Sequence, residues 1–239
     1  MRVSVCTCTY NRHHFLPLLA GCLASQDYDQ SLIEWVVVDD SPRPCALDLL
    51  QLNSGVEVVY RHSHEKLSLG RKRNLSHELC RGDIIVYMDD DDFYPCMRIQ
   101  RAVDALLGSY CLIAGSSAMP ILFLDDGSLW MAGPYGPNHA TAGTFAFKRE
   151  LLEITRYQDG AVGAEERFFL KNYEIPMVQL HPFETIICMA HAANTFDKKQ
   201  LRQRVAVLGP EKAHFRQVTL EISQQQIVDQ LLNAYRSVA

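Results

Sequence analysis

Four consecutive aspartates, Asp89 to Asp92, follow directly on the apolar run Ile84-Ile85-Val86-Tyr87-Met88, and Pro95 closes the segment. An apolar run this short, ended by an acidic turn, predicts a buried strand that delivers carboxylates to its C-terminal edge. Adjacent carboxylates repel one another unless water or a cation bridges them, and hard oxygen donors select Mg²⁺ or Mn²⁺. The same residues also read as an acidic cap on the helix after Pro95, because carboxylates at a helix N-terminus are stabilised by its dipole.

A second strand of this kind, Trp35-Val36-Val37-Val38, ends in Asp39-Asp40. Around the two, the first hundred residues alternate. Val3–Cys8 and Val56–Arg61 read as strands, His13–Ser25 and Leu69–Cys80 as helices, with Gly82 just past the end of the second. The alternation predicts an α/β fold, a mostly parallel central sheet covered by helices. Ligands bind such sheets beyond the carboxyl ends of the strands, where both acidic clusters fall.

After about Leu107 the pattern changes. Strands are predicted over Leu112–Ser116, Pro120–Leu124 and Leu129–Ala132, the last two joined by the turn sequence Asp125-Asp126-Gly127-Ser128 as a hairpin. A loop rich in Gly and Pro runs from Gly133 to Thr144. A strand at Phe145–Phe147, a helix near Ala164–Asn172 and strands at Met177–Leu180 and Thr185–Met189 follow. The last forty residues read as helical, with Ile227, Val228, Leu231, Leu232 and Tyr235 on one face. Their polar face is Gln-rich rather than basic, which fits docking on the core rather than on a membrane. The expected organisation is one domain over 1–200, with halves 1–107 and 108–200, and a helical extension over 201–239 packed on it.

A chain of 239 residues can bury a sizeable core. Its net charge of -5 gives no general attraction to nucleic acid or anionic lipid. Eight cysteines, spread from Cys6 to Cys188 with no CxxC pair and no secretory leader ahead of them, read as reduced thiols of a cytoplasmic protein. Cys6 and Cys8 share one face of a strand, where core packing is favoured over zinc for want of a second ligand pair. No apolar run approaches the roughly twenty residues of a membrane span.

Four features stand in order: Thr9-Tyr10-Asn11-Arg12 after the first strand, Val36 to Pro42, Leu-Gly-Arg-Lys-Arg-Asn from Leu69 to Asn74, and the aspartate run. Together they resemble the nucleotide-sugar-binding half of family 2 glycosyltransferases with the GT-A fold. Two later segments extend the resemblance to about residue 200. Gly163–Leu170 is similar to the family's acidic catalytic motif, with Glu in place of the commoner Asp, and His191–Phe196 to its late histidine segment. Six motifs in the expected order are hard to assemble by chance.

The resemblance implies a single GT-A, Rossmann-like domain and a metal-dependent, inverting transfer from a nucleotide sugar, a UDP-sugar by preference, to a hydroxyl of a glycan, lipid-linked sugar or protein. It implies that Asp40, with Asp39 beside it, accepts from the uracil N3–H, and that Thr9, Tyr10 and Arg12 line the nucleotide pocket. Arg71 would reach the nucleotide or diphosphate, Arg suiting phosphate through its fork of donors. Lys72 and Arg73 point elsewhere around a helix and are expected in solvent. Asp91 would hold Mn²⁺ or Mg²⁺ directly, Asp89 would contact ribose or bound water and complete the metal set with His191, and Asp90 or Asp92 would support them. Asn194 would orient His191. Glu166, with Glu165 as the alternative, would take the acceptor proton. The loop Pro137–Thr144 resembles the small-residue loop beside sugar and acceptor, and Trp130 and Tyr135 are candidates to stack on a sugar or to fill the core.

Two rival readings keep the nucleotide-binding sheet. A sugar-1-phosphate nucleotidyltransferase opens with a Gly-rich phosphate loop, and Thr9–His14 contains no glycine. A non-catalytic nucleotide- or glycan-binding module would be expected to lose the acidic motifs, which are present.

Overall fold

The computed structural model describes residues 1–52, 54–160, 165–194 and 196–238. Its strands are β1 (Val3–Thr9), β2 (Ile33–Asp39), β3 (Glu57–His62), β4 (Ile84–Tyr87), β5 (Ile113–Gly115), β6 (Met119–Phe123), β7 (Leu129–Ala132), β8 (Ala146–Lys148), β9 (Met177–Gln179), β10 (Cys188–Ala190) and β11 (Phe215–Gln217). The helices are α1 (Leu16–Ala24), α2 (Leu69–Leu79), α3 (Arg98–Leu107), α4 (Glu165–Phe169), α5 (Pro182–Thr185), α6 (Lys199–Leu208), α7 (Pro210–Ala213) and α8 (Ile222–Arg236).

A seven-stranded sheet runs β3-β2-β1-β4-β8-β5-β9, and a four-stranded one β10-β6-β7-β11. The large sheet is mostly parallel, since β8 alone opposes its neighbours β4 and β5. Every residue of β1 and β2 is buried. Both faces of these strands are covered, which is why they read as continuous apolar runs rather than alternating ones. One face packs Val3, Val5, Trp35, Val37 and Val86 against α1 and α3. The other packs Cys6, Val36, Ile85 and Tyr87 against Phe145, Phe147 and Tyr157. The carboxyl ends of β1, β2 and β4 come together in register, Thr9 beside Asp39, so the two aspartate clusters share one edge.

The predicted hairpin forms between β6 and β7, with Gly127 at φ +76 in the left-handed region a glycine enters without cost. All eight cysteines are free, and Cys6 and Cys8 are buried. Among the described residues no helix is long and apolar enough to cross a membrane.

Three expectations are corrected. The strand placed at Thr185–Met189 is the short helix α5 followed by β10, because Pro182 sits at the first helical turn, where its missing N–H costs nothing. The helix near Ala164–Asn172 is shorter, and it stops where Lys171, Asn172 and Tyr173 all take positive φ; Ala164 lies outside the described residues. The segment after residue 200 is not purely helical. Its β11 pairs antiparallel with β7, and Phe215 stacks on Trp130 with centroids 4.9 Å apart, so it completes the small sheet. Trp130 is thereby committed to packing.

Candidate active site

The turn after β2 separates its two aspartates by function. Asp39 is fully buried and accepts from Ser41 N–H (2.9 Å), Tyr60 Oη (2.7 Å) and His13 Nε2 (2.8 Å). Burial pushes its carboxyl up, but the bonds from Ser41 and Tyr60 outweigh it and hold the pKa below the usual range. Asp39 therefore fixes the turn. Asp40 faces α2: Lys72 Nζ lies 2.8 Å from its Oδ1, and the Leu67 N–H donates to its Oδ2 at 2.8 Å. The Lys66 ammonium sits over the Tyr10 ring beside them. Thr9 is buried at the end of β1, where its carbonyl accepts from Lys72 Nζ at 3.4 Å.

Arg12 crosses from this turn to the aspartate run. Its NH2 lies 2.7 Å from Asp90 Oδ1 and its NH1 2.6 Å from Asp91 Oδ2. The same Asp91 oxygen meets His191 Nε2 at 3.2 Å and the Asn194 side-chain N–H at 3.1 Å. Asn194 Oδ1 in turn accepts from the His191 N–H at 2.8 Å, and Phe15 packs on the imidazole with centroids 4.8 Å apart. Against the upward pull of burial, the His191 bond and the Arg12 charge hold Asp91 well below the usual carboxylate range. Burial drives Asp89 and Asp90 the other way, with the charge of Asp91 adding to it. Asp92 is raised to about 7 by burial and then by Asp91, and it accepts from the Met189 N–H at 2.8 Å. Its backbone carbonyl accepts from Tyr235 Oη of α8 at 2.9 Å.

These donors fit a divalent cation as a two-ligand site. A carboxylate and an imidazole 3.2 Å apart, within a buried run of mutually repelling carboxylates, are hard and borderline donors suited to Mn²⁺ or Mg²⁺. Such ions commonly take one or two protein ligands and complete the shell with phosphate oxygens and water. A cation there competes with Arg12 and Asn194 for the Asp91 oxygen. Among the described residues no three His, Cys, Asp or Glu form a group that could hold a metal ion. Asp89 faces away, towards Arg73 (3.8 Å) and Gly143, where an added Cβ would lie 2.9 Å from its Oδ2. A cleft of about 340 Å³ opens beside His191, lined by Phe123, Asn194, Asp197 and Lys198 among others.

The basic cluster on α2 is also corrected. Lys72 and Arg73, expected in solvent, are buried; Arg71 is the half-buried one and pairs with Glu78 at 3.2 Å, away from the aspartates. Arg73 lies over Tyr87, 4.6 Å from its centroid, and meets Glu165 Oε1 through Nε at 3.3 Å. Glu165 is thus buried and paired. Glu166 is the more open of the two and makes no ion pair among the described residues. Its carboxyl is raised by burial and then by the Glu165 charge. Gly163, Ala164 and Thr195, the remaining motif positions expected here, lie outside the described residues.

The family model for glycosyl transferase family 2 matches residues 4–128. A poly(ribitol-phosphate) beta-N-acetylglucosaminyltransferase, TarS, from Staphylococcus aureus strain Mu50 is 30% identical over 98 residues, 39% of this chain. That match spans 17% of the relative's length. The TarS 1–349 crystal structure in complex with UDP-GlcNAc superimposes with a TM-score of 0.63 at 17% identity, covering 99% of this chain and 72% of that one. The mannosyltransferase PcManGT from Pyrobaculum calidifontis, in complex with GDP-Man and Mn2+, gives 0.65 at 18% identity, covering 100% and 70%. At these identities the two structures speak for the fold.

Proposed function

The chain belongs to glycosyl transferase family 2, and on that premise we propose that it transfers a sugar from a nucleotide-sugar donor to a hydroxyl acceptor, with inversion at the anomeric carbon. The observation that carries the reading is Arg73, which ties the acidic pair Glu165–Glu166 to Asp89 and so sets a candidate base beside the aspartate edge. A UDP-sugar is the preferred donor. Asp40 offers its carboxylate to the N3–H of uracil, while Lys72, 2.8 Å away, holds that carboxylate in place.

Asp91 and His191 are the residues to hold Mn²⁺ or Mg²⁺. When bound, the ion offsets the charge of the departing diphosphate, so the leaving group needs no proton donor. The chain's own residues supply the rest. Arg12, freed from Asp91, is a fork of donors for phosphate oxygens. Glu166 takes the acceptor proton as the new C–O bond forms, a contribution of roughly 10²–10⁴-fold. Glu165 and Arg73 hold the start of α4 in position.

The test is a panel of UDP-glucose, UDP-galactose, UDP-GlcNAc and GDP-mannose with Mn²⁺ or EDTA, read as donor hydrolysis and thermal shift. One donor should be slowly hydrolysed and raise the melting temperature in Mn²⁺. If none of the four is hydrolysed or shifts the melt, the transfer reading fails.

A further inference from the structure

The seven-stranded sheet is left open at β3. This strand pairs with β2 on one side, and among the described residues no strand lies on the other. Where β1 and β2 are buried throughout, Glu57 and Arg61 of β3 are exposed, and Val58, Val59, Tyr60 and His62 are half-buried. An open edge presents a row of backbone N–H and C=O groups to any strand that can lie against it, and proteins commonly blunt such edges with a proline, a lysine, a bulge or a very short strand. The opposite edge is blunted in this way, β9 having only three residues. β3 has six, carries neither proline nor lysine, and keeps an unbroken register on β2. It is also held rigid. Arg2 and Arg81 grip the Glu57 carboxylate, the Tyr60 hydroxyl donates to Asp39 at 2.7 Å, and His62 Nε2 donates to the Ser41 carbonyl at 2.8 Å. Beside the strand lies an apolar groove of about 490 Å³, walled by Leu47, Leu50, Leu52, Val56, Val58 and Tyr60, with Leu47 65% exposed.

The side chains of the strand decide what fits there. Glu57, Val59 and Arg61 share one face, and Val58 and Tyr60 share the other, which is the face of the groove. Glu57 is met by Arg2 and Arg81 yet keeps half of its side chain open, while Arg61 makes no ion pair among the described residues. An antiparallel copy of the same strand, centred on Val59, sets Glu57 opposite the Arg61 of that copy, Val58 opposite its Tyr60, and Val59 opposite itself. A two-fold axis repeats every contact, so both Glu–Arg pairs form together and the two grooves adjoin. A parallel copy would instead set Glu57 beside Glu57 and Arg61 beside Arg61, and like charges directly opposite are destabilising. The charges thus choose the direction and the register, and the apolar side chains that leave water supply the affinity.

We propose that this edge is a homodimer interface: two copies of the chain join β3 to β3 about a two-fold axis at Val59 and run their large sheets into one. The interface stands apart from the glycosyl-transfer reading, and neither needs the other. Sedimentation equilibrium of the whole chain should show a species of twice its mass that dissociates on dilution. Arg61→Glu places a glutamate opposite Glu57 in both pairs and should weaken the dimer by about tenfold or more. Its circular dichroism should match the parent's, because Arg61 is exposed and unpaired within its own chain. Val59→Cys reads the register. Cα atoms directly opposite in an antiparallel pair lie about 4.5–5.5 Å apart, within disulfide reach, so oxidation by diamide should yield a covalent dimer. Val58→Cys should yield none, since Val58 and its copy are two residues out of step and beyond that reach. The parent chain oxidised alongside accounts for Cys96, an exposed native thiol. A chain that stays monomeric at every concentration overturns the proposal, as does a dimer that Arg61→Glu leaves equally tight. So does a dimer that cross-links through Val58→Cys and not through folded Val59→Cys, and should Val59→Cys misfold, Arg61→Glu still decides.

Discussion

The Nε of Arg73 lies 3.3 Å from Oε1 of Glu165, a buried ion pair between residues 92 positions apart. It joins the nucleotide half of the chain to the acidic motif, and Asp89 stands 3.8 Å beyond it. Removing one partner of such a pair leaves the other charge buried and uncompensated. Arg73→Met is expected to lower stability by about 3–5 kcal/mol, and Arg73→Met with Glu165→Gln by less. Urea unfolding of the three proteins measures this; a single variant as stable as the parent refutes the pairing.

Glu165 and Glu166 should separate by phenotype. Glu166→Gln is expected to keep the fold and nucleotide binding and to lose roughly 10²–10⁴-fold in transfer. Glu165→Gln should instead lose stability, because Arg73 loses its anion. If Glu165→Gln alone abolishes transfer in a folded protein, the base is Glu165.

The pH profile follows from the same group. Burial and the neighbouring Glu165 raise the Glu166 carboxyl, and a base works only when ionised. Transfer should therefore fall with decreasing pH along a limb that begins above the ordinary glutamate range. An acidic limb that begins no higher than the ordinary glutamate range would exclude Glu166 as the titrating base.

Asp40→Asn is expected to weaken UDP by about ten- to a hundred-fold, the loss of a hydrogen bond to a charged group. Some stability should go with it, since Lys72 is buried against this carboxylate. Pyrophosphate binding in Mn²⁺ separates the two effects: an equal loss for UDP and pyrophosphate would make Asp40 a holder of the fold alone.

Asp91→Ala and His191→Ala should each remove the Mn²⁺-dependent part of the UDP melting shift, which at a hundredfold excess over Kd amounts to about 2.7 kcal/mol. Asp89→Ala should leave most of it, because Asp89 faces Arg73 rather than His191. An equal UDP shift in EDTA would reject the metal reading.

What could be read from the residues beforehand follows from burial. Strands β1, β2 and β4 are covered on both faces, so their sequences announce them, and the aspartates mark where they end. Helix α2 was harder. Its inward stripe includes Gly70, Arg73, Asn74 and His77, which has the i, i+3, i+4, i+7 spacing but no apolar residue, so hydrophobicity does not mark Arg73 as buried or Arg71 as outward. The stripe's spacing was the available signal. Strand β11 escaped because three residues, Phe215-Arg216-Gln217, carry no pattern of their own and pair with a strand more than eighty residues earlier. The turn that ends α4 takes the left-handed conformation at Lys171, Asn172 and Tyr173, which no composition rule signals.

The bond from Tyr235 to the carbonyl of Asp92 spans 143 residues. During synthesis the aspartate loop must wait for that tyrosine. At about 5–20 residues per second the delay is roughly 7–30 s, longer still by the stretch the ribosome conceals. A nascent chain that has not yet reached Tyr235 would carry the nucleotide edge without this tie from helix to acidic loop, which Arg12 and His191 would then hold against its own repulsion.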